Sequence, residues 1–160
     1  MKYDCGFQNE NNWFRYRTGG IIIHNNKMLF VKSCIGDYYY MVGGAVHLGE
    51  TSVSCIEREV FDETGIKAHV KHLAVICENF FKGNGGLIHG LDCHTLELYF
   101  SLEIDSLDLL KDKTDMGEEL VWIPVNQIAD KRIKPTFITE RIYEIISSTN
   151  TIHVIEERDR

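Results

Sequence analysis

Residues 43–66, GGAVHLGETSVSCIEREVFDETGI, constrain the fold of this chain more than any other stretch. A glycine pair opens the segment, a helix-forming run fills its second half, and Gly65 stops it. Thr51 or Ser52 suits the helix cap, because a hydroxyl there accepts from the first free amides. Gly65 suits the position just past the helix, where positive φ is favoured, so the predicted helix ends near Thr64. Helical residues turn by about 100° each. Glu59, Asp62 and Glu63 therefore share one face, and Val53, Ile56 and Val60 share a neighbouring one. Such a helix can bury its apolar stripe while its acids follow the rim of a cleft.

Carboxylates this close repel one another, by a few tenths of a kcal/mol per i, i+4 pair even in water. Hard cations that prefer oxygen ligands, such as Mg²⁺ or Mn²⁺, remove that cost. A solvated acidic face is the competing explanation for the acids taken alone. The flanks favour the cation. Gly43 and Gly44 let the backbone approach a ligand and offer it a carbonyl. Glu50 precedes the helix and Arg58 adjoins Glu59, and the forked donors of an arginine can fix two carboxylates.

The segment resembles the box of the Nudix hydrolases, G-x5-E-x7-R-E-U-x-E-E-x-G-U, where U is a bulky aliphatic residue. Gly44, Glu50, Arg58, Glu59, Val60, Glu63, Gly65 and Ile66 fall on that pattern, and Asp62 stands where the family usually has Glu. The resemblance implies a fold of the α/β (α+β) class, an α/β/α sandwich with a mixed sheet between helices. It implies Glu59 and Glu63 as the principal ligands of Mg²⁺ (or Mn²⁺). Asp62 would be a further ligand or act through water, and the Gly43 carbonyl would complete the set. Arg58 and Glu50 would orient the carboxylates. Family members often add an acid from a later loop, for which Glu118 is the candidate and Glu119 the alternative. Glu59 or Glu118 would take the proton from the attacking water. The implied reaction is metal-dependent cleavage of the diphosphate linkage in a nucleoside diphosphate joined to another moiety. The resemblance also leaves a homodimer open. A non-hydrolytic nucleotide-binding or sensor module with this fold is the alternative, although such a module should lose box carboxylates. An RNA 5′-end pyrophosphohydrolase ranks behind both, because the net charge of −7 and the lack of a basic stripe do not suit a polyanionic backbone. DNA is not an expected partner for the same reason.

The rest of the chain reads as one domain over residues 13–148, with a polar, loosely ordered segment 1–12 before it and a tail or edge strand 149–160 after it. Residues 13–17 alternate aromatic and basic side chains, and Gly19 and Gly20 loosen the backbone before the β-branched run 21–23. Turn chemistry at residues 24–27 predicts a hairpin onto residues 28–32. Further strands are expected over 66–81, 96–101 and 120–125, with a short helix near 107–110. Apolar spacing over 136–148 predicts a core-facing helix.

Five cysteines with no C-x-x-C pair do not make a disulfide framework. The N-terminal residues carry no apolar signal region, and no run reaches membrane-spanning length. A soluble, cytoplasmic protein with no membrane partner is the expectation. Candidate substrate contacts are Arg15 and Arg17 for a distal phosphate or acid. Residues 38–40 (Tyr40 among them), Phe80 and Phe81 are candidate walls for a flat group. The loop 82–86 is either a lid or a long hairpin connection. Cys55 reads as a small packing residue and His47 as a solvent-facing one.

Overall fold

A computed structural model describes residues 2–159. Its strands, in chain order, are β1 (Gly6–Asn9), β2 (Asn12–His24), β3 (Lys27–Lys32), β4 (Tyr39–Tyr40), β5 (Gly43–Ala45), β6 (Ala68–Lys82), β7 (Asp92–Ile104), β8 (Leu120–Pro124) and β9 (Ile152–Asp159). Helix α1 (Ser52–Thr64) follows β5, and α2 (Phe137–Ser147) precedes β9. The central strand order is β4-β3-β2-β7-β6-β9, with β1 and β5 added to β2 and β8 added to β3. The sheet is mixed: β2 runs parallel to β7 and β6 to β9, whereas β6 and β7 are antiparallel.

The apolar runs divide between two cores because successive strand residues face opposite sides. Ile21, Met28 and Phe30 join the core under α2, with Phe137, Ile138, Ile142 and Ile145. Ile22, Leu29 and Val31 join the core under α1, with Ile56, Val60 and Ile66. A sheet covered on both faces needs such unbroken apolar stretches, and the architecture is the expected α/β/α sandwich. Asn25 and Asn26 take φ of 50° and 60°, which Asn tolerates, and they turn β2 back so that Ile23 faces Met28.

Several local expectations need correction. The glycine pair at 19–20 does not interrupt β2. A Cβ on Gly19 would enter the Tyr99 ring and one on Gly20 would meet Leu102, so these glycines make room for large neighbours inside a continuous strand. Residues 6–9 are not loose: Phe7 pairs with Phe14 and Gln8 with Trp13 in a β1–β2 hairpin. The segment near 107–110 makes a turn, closed by Leu110 N–H to Leu107 O at 3.1 Å, rather than a helix. The C-terminal segment, expected as a tail or an edge strand, takes the second form and lies at the sheet edge on β6.

Candidate active site

Helix α1 is capped by Thr51, whose hydroxyl accepts from the Ser54 amide at 3.1 Å. It ends at Gly65, with φ of 80°. β5 runs alongside the helix and approaches it closely at Gly44. A Cβ there would lie 2.5 Å from the Glu59 carboxyl carbon, so the carboxylate packs directly on the Gly44 backbone.

Arg58 is the hub of the helix face. Its Nε and Nη2 donate to the two oxygens of Glu50 at 2.7 and 3.0 Å, and its Nη1 donates to Glu59 Oε1 at 2.7 Å. Glu50 also accepts from the His47 amide at 3.0 Å. The Arg58 fork, against a smaller opposing effect of burial, holds the Glu50 carboxyl down at about 2. Bonding to Glu50 and Glu59 outweighs burial at Arg58 and raises its pKa in turn.

Glu63 is the opposite case. Its Oε2 is buried with no hydrogen-bond partner. Burial and then the Glu59 charge push its carboxyl up to about 8, against the opposing pull of Arg17 and a hydrogen bond from the Gly43 backbone. An orphaned carboxylate oxygen one helical turn from a second carboxylate is suited to a divalent cation. Glu59, Glu63 and the Gly43 carbonyl are hard oxygen donors, and Mg²⁺ commonly takes one or two carboxylates, with water and substrate phosphate filling its other positions. Asp62 points toward Arg58, 3.9 Å from Nη1, with its side chain 53% exposed. Among the described residues no group of three His, Cys, Asp or Glu side chains is placed to hold an ion.

A cavity of about 420 Å³ opens beside Gly43, Gly44 and Glu63. Arg15, Arg17, Tyr40, Phe81 and Glu118 all line it. Burial lowers the pKa of Arg15, helped by Arg17. Burial also pulls on Arg17, but Glu97 and Tyr99 outweigh it and leave that guanidinium more basic than usual. Glu118 is anchored by two residues far away in sequence. The Cys34 amide donates to Oε2 at 2.8 Å, and the Tyr40 hydroxyl donates to Oε1. Glu119 is exposed and does not line the cavity.

Phe80 and Phe81 separate, as neighbours on a strand must. Phe81 lines the cavity, whereas Phe80 stacks on His94, with ring centroids 4.4 Å apart, outside it. Tyr38 and Tyr40 line the cavity, and Tyr39 packs on the core under α2. Asn84 and Gly85 of the loop 82–86 also reach it, where Gly85 approaches Ile35. Cys55 is fully buried, 3.3 Å from the Thr18 hydroxyl, a packing residue as its position suggested. His47 is less open than expected, with its side chain 20% exposed beside Asp4 and Glu50.

Sequence reading missed Trp13, Asn79, Thr95, Glu97 and Tyr99, all of which line the cavity. The available signal was alternation. Residues 13, 15 and 17 point one way from β2, and residues 95, 97 and 99 point the same way from the parallel β7. Glu97 and Tyr99 alternate with the apolar Leu96, Leu98 and Phe100, the pattern of a half-buried strand, yet both are buried as well.

A mixed sheet between helices, with a carboxylate-bearing helix opening onto a cavity that holds both arginines and carboxylates, is the frame of a hydrolase that acts on phosphorus-containing acid anhydrides. Residues 14–144 match the NUDIX domain, and the chain belongs to the Nudix family. No curated protein sequence matches it. Among solved structures it resembles a MutT mutator protein from Bacillus halodurans, at 16% identity and a TM-score of 0.66, covering 91% of this chain and 92% of that one. It also resembles a UDP-X diphosphatase, at 18% identity and a TM-score of 0.59, covering 88% and 66% respectively. An ADP-ribose pyrophosphatase from Streptococcus suis is similar at 12% identity and a TM-score of 0.55, covering 89% and 98%. No helix among the described residues is long and apolar enough to cross a membrane.

Proposed function

We propose that this chain is a divalent-metal-dependent pyrophosphohydrolase that cleaves the diphosphate linkage of a nucleoside diphosphate joined to another moiety. The observation that carries the reading is the buried, partnerless Glu63 oxygen at the mouth of a cavity that also holds Arg15 and Arg17. An unpartnered carboxylate oxygen lies in the same cavity as two guanidinium groups, and a metal-bound diphosphate complements both. The solved structures it resembles include a UDP-X diphosphatase and an ADP-ribose pyrophosphatase, which supports a nucleotide-type substrate.

Glu59 and Glu63, with the Gly43 carbonyl, would hold Mg²⁺ or Mn²⁺, and Asp62 would act through water. The bound ion supplies charge neutralisation at phosphate oxygens and acidifies a bound water. Arg58 keeps Glu59 in place while Glu50 keeps Arg58 in place. Arg15 and Arg17 bind the phosphate charge inside the cavity. Glu118, fixed at the cavity by the Cys34 amide on Oε2 and the Tyr40 hydroxyl on Oε1, accepts the proton of the attacking water on a remaining lone pair of its carboxylate. Residues 13–148, extended by β1 and β9, form the working domain, and five unpaired cysteines suit a reducing, cytoplasmic setting.

The test is a screen of purified protein against a nucleotide library, with Mg²⁺ and then Mn²⁺, alongside Glu63→Gln and Glu59→Gln. Release of a phosphomonoester by the parent protein and its loss in both variants, with unchanged circular dichroism, is the expected result. Near-normal turnover in Glu63→Gln overturns the metal assignment.

A further inference from the structure

Glu97 is a buried carboxylate that the proposed hydrolysis does not use. It is 3% exposed and lies on β7 directly across the ladder from Arg17. Three neutral donors converge on it. Thr95 Oγ1 and Asn79 Nδ2 donate to Oε2 at 2.7 and 3.1 Å, and the Tyr99 hydroxyl donates to Oε1. Its charge offsets the burial of Arg17, and an apolar residue in its place would leave that guanidinium without a counter-charge. Beyond that balance, the carboxylate fixes the groups that donate to it.

Asn79 is the group it orients. A carboxylate only accepts, so the Asn79 amide must present its NH₂ to Glu97, and the direction of the amide is set. Asn79 lines the cavity, and among the described residues its carbonyl oxygen and second N–H have no protein partner. It is a fixed acceptor–donor pair. The next row of the sheet places Trp13 and Phe81 on either side of Cys93, and both aromatics line the cavity. Arg15 and Arg17 lie on β2, across β7 from this amide. The floor thus runs from cations on β2 to an oriented amide on β6, with an aromatic row beside it. A phosphorylated ligand whose other end is a flat ring, with adjacent donor and acceptor on its edge, matches that floor.

We propose that Asn79 is a specificity-determining residue that reads the hydrogen-bonding edge of a nucleobase, and that Glu97 is the positioning residue that fixes its amide. The inference rests on the reading of this cavity as the site of a nucleotide-type diphosphate. Its consequence is that base recognition is independent of the metal.

The experiment is calorimetric binding of AMP, GMP, CMP, UMP and ribose 5-phosphate to the full chain in metal-free buffer. The variants are Asn79→Leu, Asn79→Asp, Glu97→Gln, and Asn79→Leu combined with Glu97→Gln. At least one nucleoside monophosphate should bind tenfold or more tightly than ribose 5-phosphate. Asn79→Leu should weaken that nucleotide about 10- to 100-fold, the scale of losing a paired amide, and leave ribose 5-phosphate within about twofold. Glu97→Gln should weaken it less, and the double variant should bind no more weakly than Asn79→Leu alone, as required of a residue acting through another. Thermal melting reports folding, and Asn79→Asp carries the same comparison if the leucine variant fails to fold. An unchanged preference in the Asn79 variants, additive losses in the double variant, or no nucleotide above ribose 5-phosphate overturns the proposal. Loss of preference at Asn79 in a protein that hydrolyses no nucleotide anhydride would sink the hydrolase reading and leave this one standing. Turnover with unchanged preference would do the reverse.

Discussion

Arg58 grips Glu50 through two parallel N–H···O bonds, Nε to Oε1 at 2.7 Å and Nη2 to Oε2 at 3.0 Å. The remaining nitrogen, Nη1, is thereby aimed at Glu59. A lysine has one compact ammonium and cannot satisfy both carboxylates in this fork geometry. Arg58→Lys should lower kcat by about 10- to 100-fold, the scale of a lost bidentate contact. Its melting temperature at pH 7 should fall as well, because the pair is largely shielded from solvent and a lysine keeps only part of its contacts. Steady-state kinetics beside a melt checks this, and equal kinetics would show that Glu59 needs no anchor.

The same pair sets an acid limit. The Glu50 carboxyl sits at about 2 in the folded protein, held down by Arg58, against an ordinary value of 4.5. Between those values the unfolded chain takes up a proton that the folded protein refuses. The stability from the pair is therefore complete above about pH 4.5 and is lost as pH falls toward 2, by roughly 3 kcal/mol. Denaturant unfolding at pH 7, 4.5 and 2.5 should show this loss, and Glu50→Gln should flatten it.

Glu63 gives the opposite slope. Burial beside Glu59 raises its carboxyl to about 8. Between pH 4.5 and 8 the metal-free folded protein keeps a proton that the unfolded chain has released, so stability falls as pH rises through that window. Glu63→Gln should be more stable than the parent at pH 8 without metal and should lack this slope. Adding Mg²⁺ at pH 8 should raise the parent's melting temperature and leave the variant's unchanged. A parent protein that melts at one temperature from pH 5 to pH 8 without metal would contradict the buried-acid account.

Glu118 and Glu119 are adjacent in sequence but not equivalent in space. Glu118 is fixed by Cys34 and Tyr40 at the cavity, and Glu119 is exposed outside it. Glu118→Gln should reduce kcat by about 10²-fold or more, as loss of a positioned base does, with Glu119→Gln near the parent. The reverse ranking in single-turnover kinetics would move the base to Glu119.

The box was legible because fixed spacing on a helix turns sequence into one face, and its caps at Thr51 and Gly65 are local chemistry. The hairpin at Asn25 and Asn26 was legible for the same reason. The cavity floor was not. Trp13, Asn79 and Glu97 meet only because β2 lies parallel to β7 and β7 antiparallel to β6, a pairing that no local pattern specifies. Alternation on β7 showed two faces but not that both are covered, so a buried carboxylate looked like a solvated one. Phe80 and Phe81 could not both be walls once they lay in a strand, and which one faced inward depended on register.

Gly43 and Gly44 should fail in different ways when replaced by alanine. Neither has a positive φ, so the question is one of space. A Cβ on Gly43 would lie 2.9 Å from the Gly19 Cα and press on the Thr18 carbonyl, which is backbone of the paired strand and cannot move alone. A Cβ on Gly44 would meet only the end of the Glu59 side chain, 2.6 Å from Oε1 and 2.7 Å from Oε2, and that end can swing away by changing rotamer. Gly43→Ala should therefore cost about 1–3 kcal/mol of stability, the usual scale of overpacking. Gly44→Ala should fold with little loss but displace Glu59 from Arg58 and from the Glu63 side. Its expected signature is a near-normal melt, turnover reduced by about 10-fold or more, and weaker Mg²⁺ binding by calorimetry. Equal destabilisation by the two alanines, with Mg²⁺ affinity intact in Gly44→Ala, would mean that the close approach at Gly44 serves packing rather than the placement of Glu59.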